Sequence, residues 1–260
     1  MFDDFDLFHF SHGGKTHPVF RAGEGPVVVV LHELPGITPQ VADFARRVRD
    51  AGFTVFMPEF TGKAGKPLSN GYLARESAKI CINREFRVFA AHRSSPVTDW
   101  VRALGKYAFD EVGGKGIGAI GMCLTGNFAL SMMVDPWLLA PVLSQPSLPV
   151  PLPGIDNGRE LHISAPDLAT ARRRAIDEGV CVLGLRFSED RLVPPQRFER
   201  LHEEFGDRFE SVEIDSSKGN EYGLTELAHS VVTTEFVDQE GHPTYEASRR
   251  VVDFFVEHLQ

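Results

Sequence analysis

Gly121-Met122-Cys123-Leu124-Thr125-Gly126 sets a cysteine two places after one glycine and three places before another. The apolar stretch Gly116 to Gly121 leads into it, and the pattern predicts a helix beginning just beyond Cys123. A chain that turns sharply from strand to helix brings backbone segments together around one protruding side chain, so small residues are needed beside that side chain. A thiol presented near the unpaired N–H groups of a helix N-terminus is shifted toward thiolate, the form that attacks carbonyl carbon. The chemistry such a residue could do is acyl transfer.

A nucleophile of this kind needs a proton acceptor, and the acceptor needs an orienting acid. The apolar run Cys181 to Phe187 ends in Ser188-Glu189-Asp190-Arg191-Leu192-Val193-Pro194-Pro195, which puts Asp190 in a turn ahead of a Pro-initiated helix. The run Phe209 to Ile214 is followed by a polar loop and then Glu226-Leu227-Ala228-His229-Ser230. Nucleophile, acid and histidine therefore occur in the order Cys, Asp, His, each after a successive strand, as on the α/β-hydrolase scaffold. His32 competes with His229 as base, and Glu189 and Asp215 compete with Asp190. The order of the triad favours Cys123, Asp190 and His229. Backbone N–H groups of Leu34, in the turn after Val27 to Leu31, and of Leu124, directly after the nucleophile, are assigned to an oxyanion hole.

The elements that must hold these groups follow from periodicity. Phe8, Phe10, Val19 and Phe20 around His12-Gly13-Gly14 predict a hairpin. Val27 to Leu31 is a strand buried on both faces, followed by a helix over Val41 to Asp50 and a strand over Phe53 to Met57. Leu138 to Leu143, Val180 to Phe187 and Phe209 to Ile214 are further strands. Helices are expected near Val97 to Tyr107, Asp167 to Glu178, Pro195 to Phe205 and Ala247 to Leu259. The alternation predicts an α/β protein, a mostly parallel central sheet with helices on both faces, in one domain over 1–260. A helical excursion at about 60–98, centred on Leu73 to Ala91, interrupts it.

Composition narrows the function. The 36 acidic against 27 basic residues give a formal charge of -9, unsuited to nucleic acid or an anionic membrane. Arg172-Arg173-Arg174 point in different directions on a helix and read as a solvated face. The acidic start Met1-Phe2-Asp3-Asp4 and the lack of a long apolar run lead to an expected cytoplasmic location. Cys81, Cys123 and Cys181 form neither a disulfide framework nor a metal-binding pattern, and neither metal nor cofactor is expected.

The segment His32-Glu33-Leu34-Pro35-Gly36, the Gly-x-Cys-x-x-Gly elbow and the later Asp and His loops together resemble the dienelactone hydrolase family over nearly the whole chain. The resemblance implies an ester or lactone hydrolase whose Glu33 contacts Cys123 in the resting enzyme, holding a poorly reactive thiol until substrate displaces the carboxylate. Two departures stand out. Thr125 occupies a position that is usually glycine, and Ser230-Val231-Val232-Thr233-Thr234 carries no arginine to hold a substrate carboxylate. Arg84, Arg87 and Arg93 are the alternative anion clamp. The expected reaction is cofactor-independent opening of a small ester or lactone by Cys123, with Asp190, His229 and Glu33 in support. A broader carboxylesterase or thioesterase, a redox-sensing thiol and a non-catalytic binding protein on the same scaffold are the alternatives.

Overall fold

The computed structural model describes residues 2–82, 96–147 and 158–260. Strands β1 (Asp6–His12) and β2 (Lys15–Ala22) form the expected hairpin, with His12 paired to Lys15 across the Gly13-Gly14 turn. There follow β3 (Val27–Leu31), α1 (Pro39–Asp50), β4 (Thr54–Pro58), α2 (Asn70–Ile82), α3 (Pro96–Val112) and β5 (Ile117–Met122). A 3-10 turn at Cys123–Thr125 leads into α4 (Gly126–Met132), then β6 (Leu138–Ser144), α5 (Ala165–Glu178) and β7 (Val182–Phe187). The chain ends through α6 (Pro195–Phe205), β8 (Phe209–Ile214) and α7 (Pro243–Leu259).

The strands make one sheet in the order β1-β2-β4-β3-β5-β6-β7-β8. The hairpin pairs antiparallel to the rest, and β4, β3, β5, β6, β7 and β8 run parallel. From β3 the chain crosses to β4 on one side and from β5 to β6 on the other, so the order reverses between β3 and β5. Loops diverge above the carboxyl ends of strands at such a reversal and leave a crevice there. Leu31 pairs with Gly121, so the turn after β3 and the turn after β5 open into the same crevice.

Alternation along each strand builds the two layers. Val27, Val29 and Leu31 of β3 enter one apolar cluster with Trp100, Leu104 and Phe128, while Val28 and Val30 enter the other with Phe44, Phe254 and Phe255. Full burial of each such side chain contributes roughly 1.5–3 kcal/mol, which is why uninterrupted β-branched runs sit at the centre of a sheet covered on both faces. The helices that cover it have identifiable starts. Thr38 Oγ1 accepts from the Val41 N–H at 3.3 Å ahead of α1, and Ser164 Oγ accepts from the Asp167 N–H at 3.2 Å ahead of α5.

The excursion expected over Leu73 to Ala91 is helical over Asn70–Ile82; its remainder, with Arg84, Phe86, Arg87, Phe89 and Arg93, lies outside the described residues. Among the described residues no helix is long and apolar enough to cross a membrane, and no group of three His, Cys, Asp or Glu side chains could hold a metal ion.

Candidate active site

Cys123 follows β5 directly and has φ +53, a left-handed conformation that a residue with a Cβ seldom adopts. Its neighbours explain why the chain bends there. A Cβ on Gly121 would stand 2.0 Å from the Thr125 carbonyl oxygen, and one on Gly126 would stand 2.7 Å from Pro146 Cα. Both contacts are with backbone that cannot swing aside. Thr125 itself has φ -85 and ψ -5, an ordinary right-handed geometry. The position that departs from the family pattern therefore needs no glycine, because the strained residue is the cysteine.

Thr125 also fastens the turn. Its Oγ1 accepts from the Met122 N–H at 3.0 Å and lies 2.9 Å from Leu31 O, 3.2 Å from His32 O and 3.0 Å from Met122 O. The end of β3 is thus held against the elbow, and with it the turn carrying Leu34. The first N–H groups of a helical turn have no acceptor within it, which leaves the Leu124 N–H available at the start of the 3-10 turn. No described residue accepts from the Leu34 N–H.

Asp190 and His229 come together from the loops after β7 and β8. His229 Nδ1 lies 2.7 Å from Asp190 Oδ2, with 19% of the histidine and 3% of the aspartate side chain exposed. Asp190 Oδ1 accepts from the Leu192 N–H at 2.9 Å, so both carboxylate oxygens are engaged. Two buried arginines set this loop. Arg186 donates to Val193 O at 3.0 Å and Ser188 O at 2.8 Å, bracketing Asp190, while Arg197 donates to Leu192 O at 3.0 Å and to Pro146 O at 2.8 Å in the loop after β6. The competing carboxylates Glu189 and Asp215 are exposed.

The hydrogen bond at Nδ1 leaves His229 Nε2 as the atom that can exchange a proton, and Nε2 is buried with no hydrogen-bond partner among the described residues. Burial works against a charged ring here, yet the neighbouring Cys123 sulfur and Asp190 overcome it and hold the His229 pKa well above its ordinary value. The sulfur is close enough to act on the imidazole charge, although the pair makes no hydrogen bond of good geometry. His32, the competing base, is buried, and burial lowers its pKa to about 4. Its Nε2 accepts from the Phe60 N–H at 3.0 Å and its Nδ1 lies 2.8 Å from Glu33 O, which fixes a neutral tautomer with both nitrogens occupied.

Glu33 does not stand where the resemblance implies. Among the described residues its carboxylate has three donors, Ser230 Oγ at 2.7 Å, Gln145 Nε2 at 3.1 Å and Thr233 Oγ1, while the hydrogen-bond partner of the Cys123 sulfur is Ser147 Oγ at 3.2 Å. Hydroxyls and an amide are stronger donors than a thiol, and together they satisfy a buried carboxylate that Cys123 alone would not. Glu33 so joins the turn after β3 to the loop after β6 and to the histidine loop. Burial, with the Glu33 charge adding, raises the pKa of nearby Glu235, whose carboxylate accepts from the Ser230 N–H at 2.8 Å.

Sequence reasoning did not find Gln145, Ser147, Ser230 or Thr233 as parts of the site. Ser144-Gln145-Pro146-Ser147 was readable as a polar tail on an apolar strand at the catalytic edge, and Ser230 adjoins His229.

A model of the dienelactone hydrolase family matches residues 15–259. A presumed dienelactone hydrolase of Klebsiella pneumoniae superposes with a TM-score of 0.64 at 18% identity, over 98% of this chain and 99% of that one. A dienelactone hydrolase-like promiscuous phosphotriesterase, P91, from metagenomic libraries does so with a TM-score of 0.62, also at 18% identity, over 98% of each chain. At such identities the likeness speaks for the fold. A curated relative of Escherichia coli K12, the presumed hydrolase fragment YghX, is 37% identical over 64 residues, which are 25% of this chain and 55% of that protein. The chain thus spans about half the length of the curated relative it matches. With the family model covering nearly the entire sequence, and a mostly parallel eight-stranded sheet that superposes on family structures from end to end, this chain belongs to the dienelactone hydrolase family and has the α/β-hydrolase fold.

Proposed function

We propose that the protein hydrolyses a small ester or lactone through a thioester on Cys123. The observation that carries this reading is the His229–Asp190 pair at 2.7 Å, with a buried Nε2 that has no hydrogen-bond partner among the described residues and lies under the electrostatic influence of the Cys123 sulfur. His229 takes the thiol proton, and the thiolate attacks the carbonyl carbon. The C–S bond forms as the carbonyl π electrons move onto oxygen, where the N–H groups of Leu34 and Leu124 receive the negative charge. Collapse of this intermediate expels an alkoxide that takes the proton from His229 Nε2; in a lactone the alkoxide stays on the acyl chain.

Acylation removes the thiolate charge that raises the His229 pKa, so burial then favours the neutral ring. Neutral His229 is the base that deprotonates water for attack on the thioester, and the expelled thiolate restores the starting pair. One electrostatic contact thereby prepares the nucleophile in the first half-reaction and releases the base in the second. Asp190 keeps the ring in the tautomer with Nε2 free and stabilises its charged form.

Hydrolysis of dienelactones and of neutral aryl esters by wild type, Cys123→Ala and Asp190→Asn tests the reading. Cys123→Ala is expected to lose turnover almost completely and Asp190→Asn to lose roughly 10²–10⁴-fold in kcat. Wild-type turnover in Cys123→Ala would refute it. The absence of an arginine in Ser230-Val231-Val232-Thr233-Thr234, just after His229, favours neutral esters over carboxylated lactones.

A further inference from the structure

Ser147 was assigned no role by the sequence, and it is the residue that touches the sulfur. Its side chain is fully buried in the loop after β6. Its N–H donates to Cys123 O at 3.0 Å, and its Oγ lies 3.2 Å from Cys123 Sγ. Two contacts thus fix Cys123 from one neighbour, one on the carbonyl of the strained residue and one on the reacting atom. No other described residue accepts from the Ser147 hydroxyl. A buried hydroxyl nearly always uses its proton, and among the described residues sulfur is the acceptor within its reach.

The direction of this bond follows from the neighbouring imidazole. The thiol proton goes to His229 Nε2, and a thiolate has no proton to give, so the hydroxyl must be the donor. A donor that bonds the charged form favours that form. We infer that Ser147 is the thiolate-stabilising residue of this site, its hydroxyl donating to the Cys123 sulfur in the position where the family resemblance places a glutamate. Glu33, engaged by Gln145, Ser230 and Thr233, instead braces the loops around the pair. The nucleophile is accordingly held ready by a neutral donor and does not wait for a carboxylate to leave. This inference rests on the reading of Cys123 as nucleophile.

The test is the pH dependence of Cys123 alkylation by iodoacetamide, followed by the mass of the peptide carrying Cys123, which separates it from Cys81 and Cys181, in wild type, Ser147→Ala and Ser147→Thr. The backbone N–H to Cys123 O is kept in all three, and Ser147→Thr keeps the hydroxyl. Loss of one hydroxyl donor to a charged acceptor should raise the alkylation midpoint of Ser147→Ala by about one pH unit, with Ser147→Thr close to wild type. Below the wild-type midpoint the alanine variant should be alkylated about tenfold more slowly, and well above both midpoints the rates should converge. A purely structural role would lower the rate equally at every pH. An alanine midpoint equal to or below that of wild type overturns the inference, as does a threonine midpoint shifted as far as that of alanine. Alkylation reads the state of the sulfur whether or not it attacks substrate, so failure here is distinguishable from failure of the nucleophile assignment, which ester hydrolysis by Cys123→Ala tests.

Discussion

Cys123 at φ +53 and Thr125 at φ -85 divide the labour of the turn between them. The cysteine takes the strained backbone geometry, and the threonine hydroxyl contacts Met122, Leu31 and His32, which holds that strain in place. Replacing Thr125 by valine keeps the shape and removes the hydroxyl. The Met122 N–H then loses its acceptor and the buried carbonyl that takes the hydroxyl proton loses its donor, and the expected destabilisation is about 1–3 kcal/mol by urea unfolding. A midpoint unchanged from wild type would show that these contacts are not what secures the elbow. At this scale the types and order of the candidate triad were readable, because Cys, Asp and His after the ends of β5, β7 and β8 form a pattern visible in one dimension. The partners of Glu33 were not. They come from two loops, after β6 and after β8, whose approach depends on how the sheet places them, and no spacing in the sequence encodes that.

Strands and helices were legible to the extent that their burial is periodic. Pro195–Phe205 and Phe209–Ile214 match their expected limits, since Pro sets the start of one and alternation marks the other. The run Val180 to Phe187 becomes a strand only from Val182, because Gly179 at φ +76 ends α5 and the Val180 N–H donates back to Arg174 O at 3.3 Å. The last helix begins at Pro243, ahead of the expected Ala247, because its first turn is Pro243-Thr244-Tyr245-Glu246, which lacks the apolar spacing but is capped by His242. The elbow has a requirement of its own at this scale, that β5 and α4 approach until only a hydrogen fits between them. Gly121→Ala should therefore separate strand from helix, lowering the melting temperature by several degrees and activity by at least tenfold. A variant that melts and turns over like wild type would contradict the packing described.

The molecule as a whole carries the site at the reversal of strand order between β3 and β5, and the same crevice makes its stability depend on pH. His32 is neutral, doubly bonded and buried there, with a pKa of about 4 against 6.5 for the free side chain. Between those values the unfolded chain binds the proton and the folded chain does not. The His32 contribution to stability is thus complete above about 6.5, falls as pH drops toward 4 and levels off below that, for a total of about 3 kcal/mol. Urea midpoints measured from pH 7 to pH 4 should show this decline in wild type and a flatter one in His32→Gln; equal slopes would remove His32 as its source. The parallel sheet with both faces covered was legible as a whole, because runs such as Val27–Leu31 have no polar side for solvent.

The central claim, a thioester on Cys123 formed and resolved by the His229–Asp190 pair, is tested most directly by acid-quenching the protein during turnover of an aryl acetate and mapping the adduct by peptide mass. An acetyl group on the peptide carrying Cys123, accumulating further in His229→Ala once slow acylation has occurred, is the result this geometry predicts. An acetyl group on any other side chain, with Cys123 unmodified while ester is being consumed, would contradict it.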